Sequence, residues 1–214
     1  MYVLHKGFKM VPAIISDFLA LSGKWWPVNT GVALLNKFRK NRIKEAGNIL
    51  LSQVGNGDFS NVFDDDRVAM MYQYGLAAIN GRANRNLMLL AQLIRNISLG
   101  QKLDYGGYIE EYAKYARILE DLTKEEITIL AVYAKFSKGT TDRFGVYTNA
   151  KEYIIHNKIM DSERFWAVSS ALSRTGLIRN NGGFDGGAEI TTVLFDDIVK
   201  LVDFNYDLDS VNFQ

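Results

Sequence analysis

The sequence predicts a mostly α-helical protein in two parts. An N-terminal helical bundle over residues 1–107 packs against a module over 108–214 that carries one small β-hairpin and ends in an acidic tail. Three observations predict this. The chain has 214 residues of which 48% are hydrophobic, enough for a buried core. Only 2 prolines interrupt it, so long helices are free to form. Apolar residues recur at helical spacing through most of its length, and only the glycine-rich run 180–187, flanked by β-rich residues, has the composition of a hairpin.

At the N-terminus, Lys6 and Lys9 precede an apolar stretch in the manner of a signal peptide. Asp17 interrupts that stretch and no small-residue cleavage pattern follows, so a cleaved leader is not expected. Asp17 and Lys24 also break every window long enough to span a membrane. Ile14, Ile15, Phe18, Leu19, Leu21, Trp25 and Trp26 fall mostly on one helical stripe, which Pro27 ends. Such a stripe belongs to a core or to a membrane-surface helix. In the second case Phe18, Trp25 and Trp26 are the membrane contacts, because tryptophans beside a basic region suit the interface.

The next helix begins near Asn29-Thr30 and runs to about Val54. Val32, Leu35, Phe38, Ile43, Ala46, Ile49 and Leu50 share one face, and Lys37, Lys40 and Lys44 gather opposite. Arg39 and Arg42 fall on the apolar side, where a guanidinium needs a carboxylate; Asp64, Asp65 or Asp66 is the expected partner. Gly55-Asn56-Gly57-Asp58 is a loop. The three adjacent aspartates cannot all face one ion from a helix and read instead as acids at a helix N-terminus. Helices over 68–79 and 84–97 follow, broken at Asn80-Gly81, with Leu87, Leu90, Ala91, Ile94 and Ile97 as the inward stripe of the second.

Tyr108, Tyr112, Tyr115 and Leu119 recur at helical spacing and read as a domain interface rather than a base-stacking platform. Thr123-Lys124-Glu125-Glu126 fits a capping box for a buried helix that Gly139 closes. Residues 144–147 read as a short extended piece, and Thr148 as the cap of a small helix containing Tyr153, Ile154 and Ile155. His156 is a lone histidine with a surface or packing role. Asp161 or Ser162 caps a helix over 162–175 with Phe165, Trp166, Val168 and Leu172 inward and Glu163, Ser169, Ser170, Ser173 and Arg174 outward. Gly176 supplies a left-handed C-cap. Leu177-Ile178 then forms a strand pairing with 190–194, and the loop 180–187, with four glycines, projects as a wing. Asp196-Asp197 opens the last helix.

The order helix, small helix, helix, strand, wing, strand, helix from residue 124 onward resembles a winged-helix domain. In that family the third helix and the wing usually contact DNA, which implies Arg174 and Arg179 here. The layout is also similar to bacterial abortive-infection alpha proteins and related bacterial or phage-borne families. Leu122-Thr123-Lys124-Glu125-Glu126 and Leu172-Ser173-Arg174-Thr175-Gly176-Leu177-Ile178 carry that likeness. It implies a role in phage conflict or mobile-element biology and brings no catalytic residues.

Charge places the candidate partners. The net charge is +1, yet residues 1–60 hold eight bases against three acids, whereas 123–214 hold ten bases against thirteen acids. Candidate nucleic-acid contacts are therefore Lys37, Lys40, Lys44, Arg174 and Arg179. With 0 cysteines there is no disulfide framework or thiolate site, which fits a reducing compartment, and the cytoplasm is the expected location. No phosphate loop, nucleophile elbow or metalloprotease motif occurs. The expectation is a non-enzymatic macromolecule-binding protein, engaging a protein partner or itself, or nucleic acid. A peripheral membrane effector is the alternative. No cofactor, metal or small-molecule substrate is inferred.

Overall fold

Helices dominate because the apolar spacing is helical almost everywhere. The computed structural model describes residues 32–54, 64–99, 108–182 and 188–207, which hold eight α-helices and one two-stranded antiparallel sheet. The readings made for the N-terminal stripe, the 55–58 loop, residues 183–187 of the wing and the end of the acidic tail lie outside the described residues. Two compact units are present, Met1–Asp121 and Leu122–Gln214.

The first unit comprises α1 (Val32–Val54), α2 (Asp64–Ile79), α3 (Asn84–Ser98) and α4 (Tyr108–Glu120), and α3 packs on each of the others. The expected stripe Leu87, Leu90, Ala91, Ile94 and Ile97 is fully buried, and Leu93 joins it. At the predicted break Gly81 takes φ +81°. Its amide donates to the Ala78 carbonyl and that of Arg82 to the Ala77 carbonyl, so a left-handed residue closes the carbonyls that α2 leaves open. Tyr112, Tyr115 and Leu119 bury themselves on α2 and α3, so α4, which the sequence reading places with the second part, belongs to the first unit.

Two expectations for α1 fail. Ile43, Ala46, Leu50 and Val54 do face inward, but Leu35 and Phe38, near the start of the helix, are exposed. Arg42 also does not turn to the α2 aspartates. Its guanidinium donates to Glu45 (2.7 Å), to Asn84 Oδ1 (2.8 Å) and to the Arg82 carbonyl, pinning α1 to the start of α3.

The second unit comprises α5 (Lys124–Ser137), α6 (Arg143–His156), α7 (Ser162–Leu172), a 3₁₀ turn (Ser173–Thr175), β1 (Ile178–Asn181), β2 (Ala188–Thr191), α8 (Val193–Leu201) and a final 3₁₀ turn (Phe204–Asp207). The capping box at Thr123 and Glu126 forms as expected. Residues 144–147 are not extended, however. Asp142 caps one continuous α6 by accepting the Gly145 amide at 3.0 Å. A side chain at 145 would place its Cβ 2.4 Å from that carboxylate, so glycine here serves the cap rather than a strand.

Gly176 has φ +73° and ends the 3₁₀ turn as a left-handed cap. Leu177 and Ile178 follow it into the core, both buried. The partner strand is shorter than expected: Ile178 pairs with Thr191 and Asn181 with Ala188. Thr192 then leaves the sheet to cap α8, so Val193 and Leu194 are helical and the helix begins before Asp196. The same hydroxyl donates to the Gly176 carbonyl at 2.7 Å, tying the helix start to the left-handed turn.

Gly176→Val is expected to cost about 1–2 kcal/mol, since a β-branched residue is strained at this φ; Leu194 Cδ2 at 3.6 Å from the new Cβ adds no clash. Gly182→Ala, in open space, should change stability by no more than about 0.5 kcal/mol. Urea unfolding of the two variants measures the contrast.

Candidate macromolecule-binding surface

The α7–hairpin region is where the winged-helix resemblance locates contacts. Asp161 caps α7 by accepting the Arg164 amide at 2.7 Å, and Phe165, Val168 and Leu172 are buried as expected, with Trp166 half-buried against Phe165 and Tyr147. Ser169 is a correction. It lies fully buried, 3.4 Å from the Tyr133 hydroxyl, rather than on the outer face. Burial pushes the Tyr133 phenol well up, with the Ser169 hydrogen bond opposing and Glu189 adding to the rise. Glu189 on β2 is buried too; Ser170 donates to its Oε1 at 3.0 Å, and its Oε2 has no hydrogen-bond partner among the described residues.

Arg174 is exposed, yet its guanidinium is engaged. Nη1 donates to Glu126 Oε1 and to the Ala171 carbonyl (2.8 Å), and Nη2 donates to Glu126 Oε2 (3.1 Å). Burial by itself would raise the Glu126 carboxyl. The Arg174 hydrogen bonds, the Thr123 amide and the Arg174 charge outweigh that and hold it below the usual carboxylate range. One turn from the start of α7, Arg164 pairs with Glu125, its Nε 2.8 Å from Oε1. Arg179 stands exposed on β1, opposite Ile190.

Beside the hairpin, Arg143 donates to the Thr191 carbonyl and pairs with Asp196. This ties the start of α6 to the start of α8. Phe144 and Val193, the residues beside these anchors, are among the most exposed large apolar side chains in the described structure, at 60% and 66%. Sequence reasoning assigned both to strands, so neither was seen as surface.

In the first unit Lys37, Lys40 and Lys44 are exposed along one face of α1, as expected. The five proposed nucleic-acid contacts thus divide between the two units, three lysines on α1 and two arginines beside the hairpin. Phe18, Trp25 and Trp26 lie outside the described residues. Among the described residues, no three His, Cys, Asp or Glu side chains gather to hold a metal, and no helix is long and apolar enough to cross a membrane. No protein-family model, curated protein or solved structure matches the chain.

Arg174→Ala strands a buried carboxylate and should destabilise by about 1–2 kcal/mol, between the values for exposed and charge-assisted pairs. Glu126 has a lowered folded pKa, so its contribution is present above the unfolded carboxylate range of about 4.3 and is lost as pH falls through the folded value. Glu126→Gln should therefore be destabilising at pH 7 and flatten the acid limb of stability against pH, read by urea midpoints.

Proposed function

We propose that the chain is a non-enzymatic binding protein whose second unit, a winged-helix-like module, engages another protein rather than nucleic acid. One observation carries this reading. The arginine at the end of α7 is committed to Glu126, and the arginine near its start to Glu125. Affinity for nucleic acid comes chiefly from cations that neutralise phosphates and release counterions, and cations already matched to carboxylates contribute little. The acid excess over 123–214 adds repulsion. Phe144 and Val193, on helix starts that Arg143 fixes to each other, offer apolar area of the kind protein interfaces bury. A role in phage conflict, which the short motifs imply, is compatible with binding and needs no catalysis.

Fluorescence anisotropy of a labelled DNA duplex at low salt tests the reading. Arg174→Ala and Arg179→Ala are expected to leave duplex affinity within about twofold. A loss of tenfold or more in either, with the salt slope falling by about one per lost contact, would assign the module to DNA. Sedimentation velocity of the full chain reads the protein arm, where the Phe144→Glu/Val193→Glu variant is expected to lose any concentration-dependent association.

A further inference from the structure

Glu189 is an anion buried inside the second unit, 1% exposed. It stands on β2 opposite Asn180, on the strand that packs against α6. Ser170 donates to its Oε1, and among the described residues nothing bonds its Oε2. No lysine or arginine among them pairs with it either. The two cations one turn before and after Tyr147 on α6 are engaged elsewhere, Arg143 with Asp196 and the Thr191 carbonyl, Lys151 over the Trp166 ring at 4.9 Å.

What surrounds the carboxylate is oxygen. Tyr133 from α5 and Ser169 from α7 are both fully buried and hold their hydroxyls 3.4 Å apart. Ser170, the next residue on α7, touches the carboxylate itself at 3.0 Å. Tyr147 on α6 completes the set. Burial raises its phenol and that of Tyr133; the Ser169 hydrogen bond opposes the rise at Tyr133, and the Glu189 charge adds to it at both. Both phenols therefore lie within electrostatic reach of the carboxylate. Four elements bring one negative charge and the hydroxyls of two tyrosines and two serines together.

We propose that this cluster binds a monovalent metal cation, potassium or sodium, with Glu189 Oε2 as its anionic ligand and the hydroxyls of Tyr133, Tyr147 and Ser169 as neutral ones. Buried charges are paired or coordinate a metal, because an isolated one is too costly to keep. A water in the same place supplies a hydrogen bond but no charge. Calcium takes about six to eight oxygens, carboxylates prominent among them, and among the described residues no three acids gather. One carboxylate balances one charge. Neutral oxygens are competent partners for such an ion, since they replace its hydration shell. The bound cation ties β2 to α5, α6 and α7 and so fixes the base of the hairpin. This inference does not depend on which partner the second unit engages.

Urea unfolding of the full chain in chloride salts at fixed ionic strength tests the site, with tetramethylammonium as the ion too large and too apolar to enter it. The midpoint is expected to rise as potassium or sodium replaces tetramethylammonium. The logarithm of the unfolding constant should fall against that of the ion concentration with a slope approaching one, the signature of one ion held by the folded state. Glu189→Gln is expected to abolish this dependence. Tyr133→Phe/Ser169→Ala, which keeps the carboxylate, should move it to higher ion concentration and carries the test where glutamine disturbs folding. On folded protein the sodium NMR line should broaden with the parent chain and not with Glu189→Gln. Equal midpoints in all three salts would overturn the proposal and leave a water or a proton at Glu189. So would a rise of the same size in Glu189→Gln, which places the ion elsewhere.

Discussion

The carboxylate of Glu126 is the point to which the second unit is tied. It accepts the Thr123 amide to complete the cap of α5 and both Nη atoms of Arg174 from the end of α7. A buried carboxylate that loses one of its donors costs about 1–2 kcal/mol. The cap, worth about 1 kcal/mol alone, and the guanidinium thus support each other. Arg174 lies two residues before Gly176, so fixing it also fixes the left-handed turn that aims Leu177 and Ile178 inward. Thr192 closes the circuit by bonding the Gly176 and Leu177 carbonyls while capping α8. One acid therefore sets where a helix starts, where another ends and where the hairpin departs.

The first unit depends less on such a tie and more on burial. Around α3, polar groups serve to fix angles: Asn86 donates to the Leu119 carbonyl at 2.7 Å, and Arg82 reaches Asp121 at 2.8 Å and Glu120 at 3.8 Å. Burial raises the Glu120 carboxyl, Arg82 pulls it back and Asp121 raises it again, so this acid is only partly compensated. Tyr74 and Tyr112 have phenols pushed upward chiefly by burial. Tyrosine at the helical contact of α2 and α4 is structural, and the aromatic density that suggested base stacking is spent inside the unit.

Elements governed by local chemistry were legible in the sequence. Gly176, the Thr123–Glu126 box and the α3 stripe each follow from a steric or hydrogen-bonding rule acting within a few residues. The misreadings share another cause. Gly145 resembles a breaker until Asp142 is seen to need its amide, and Val193-Leu194 have strand composition until Thr192 takes the cap. Arg42 found Asn84 and the Arg82 carbonyl, 42 and 40 residues away, by a packing angle that no periodicity encodes. Of the candidate site, the exposure of Lys37, Lys40, Lys44 and Arg179 could be read. The commitment of Arg174 to Glu126 could not. The outer face of α2 left a signal that was passed over: Val68, Tyr72 and Leu76 recur at four-residue spacing off the buried side.

Among the described residues, α1 carries the lysine stripe that could face an anionic partner. Lys37, Lys40 and Lys44 lie within eight residues, about 10 Å of helix, and all three are exposed on one face. If each neutralised one phosphate of a duplex, the salt slope would be about −2.7. Proteins held on DNA by phosphate contacts alone use roughly twice that number or more. A three-lysine stripe is thus enough to steer an acidic surface toward the protein at low salt and too little to hold nucleic acid by itself. Holding requires contacts that survive screening, and in the second unit the exposed apolar side chains at the starts of α6 and α8 are of that kind.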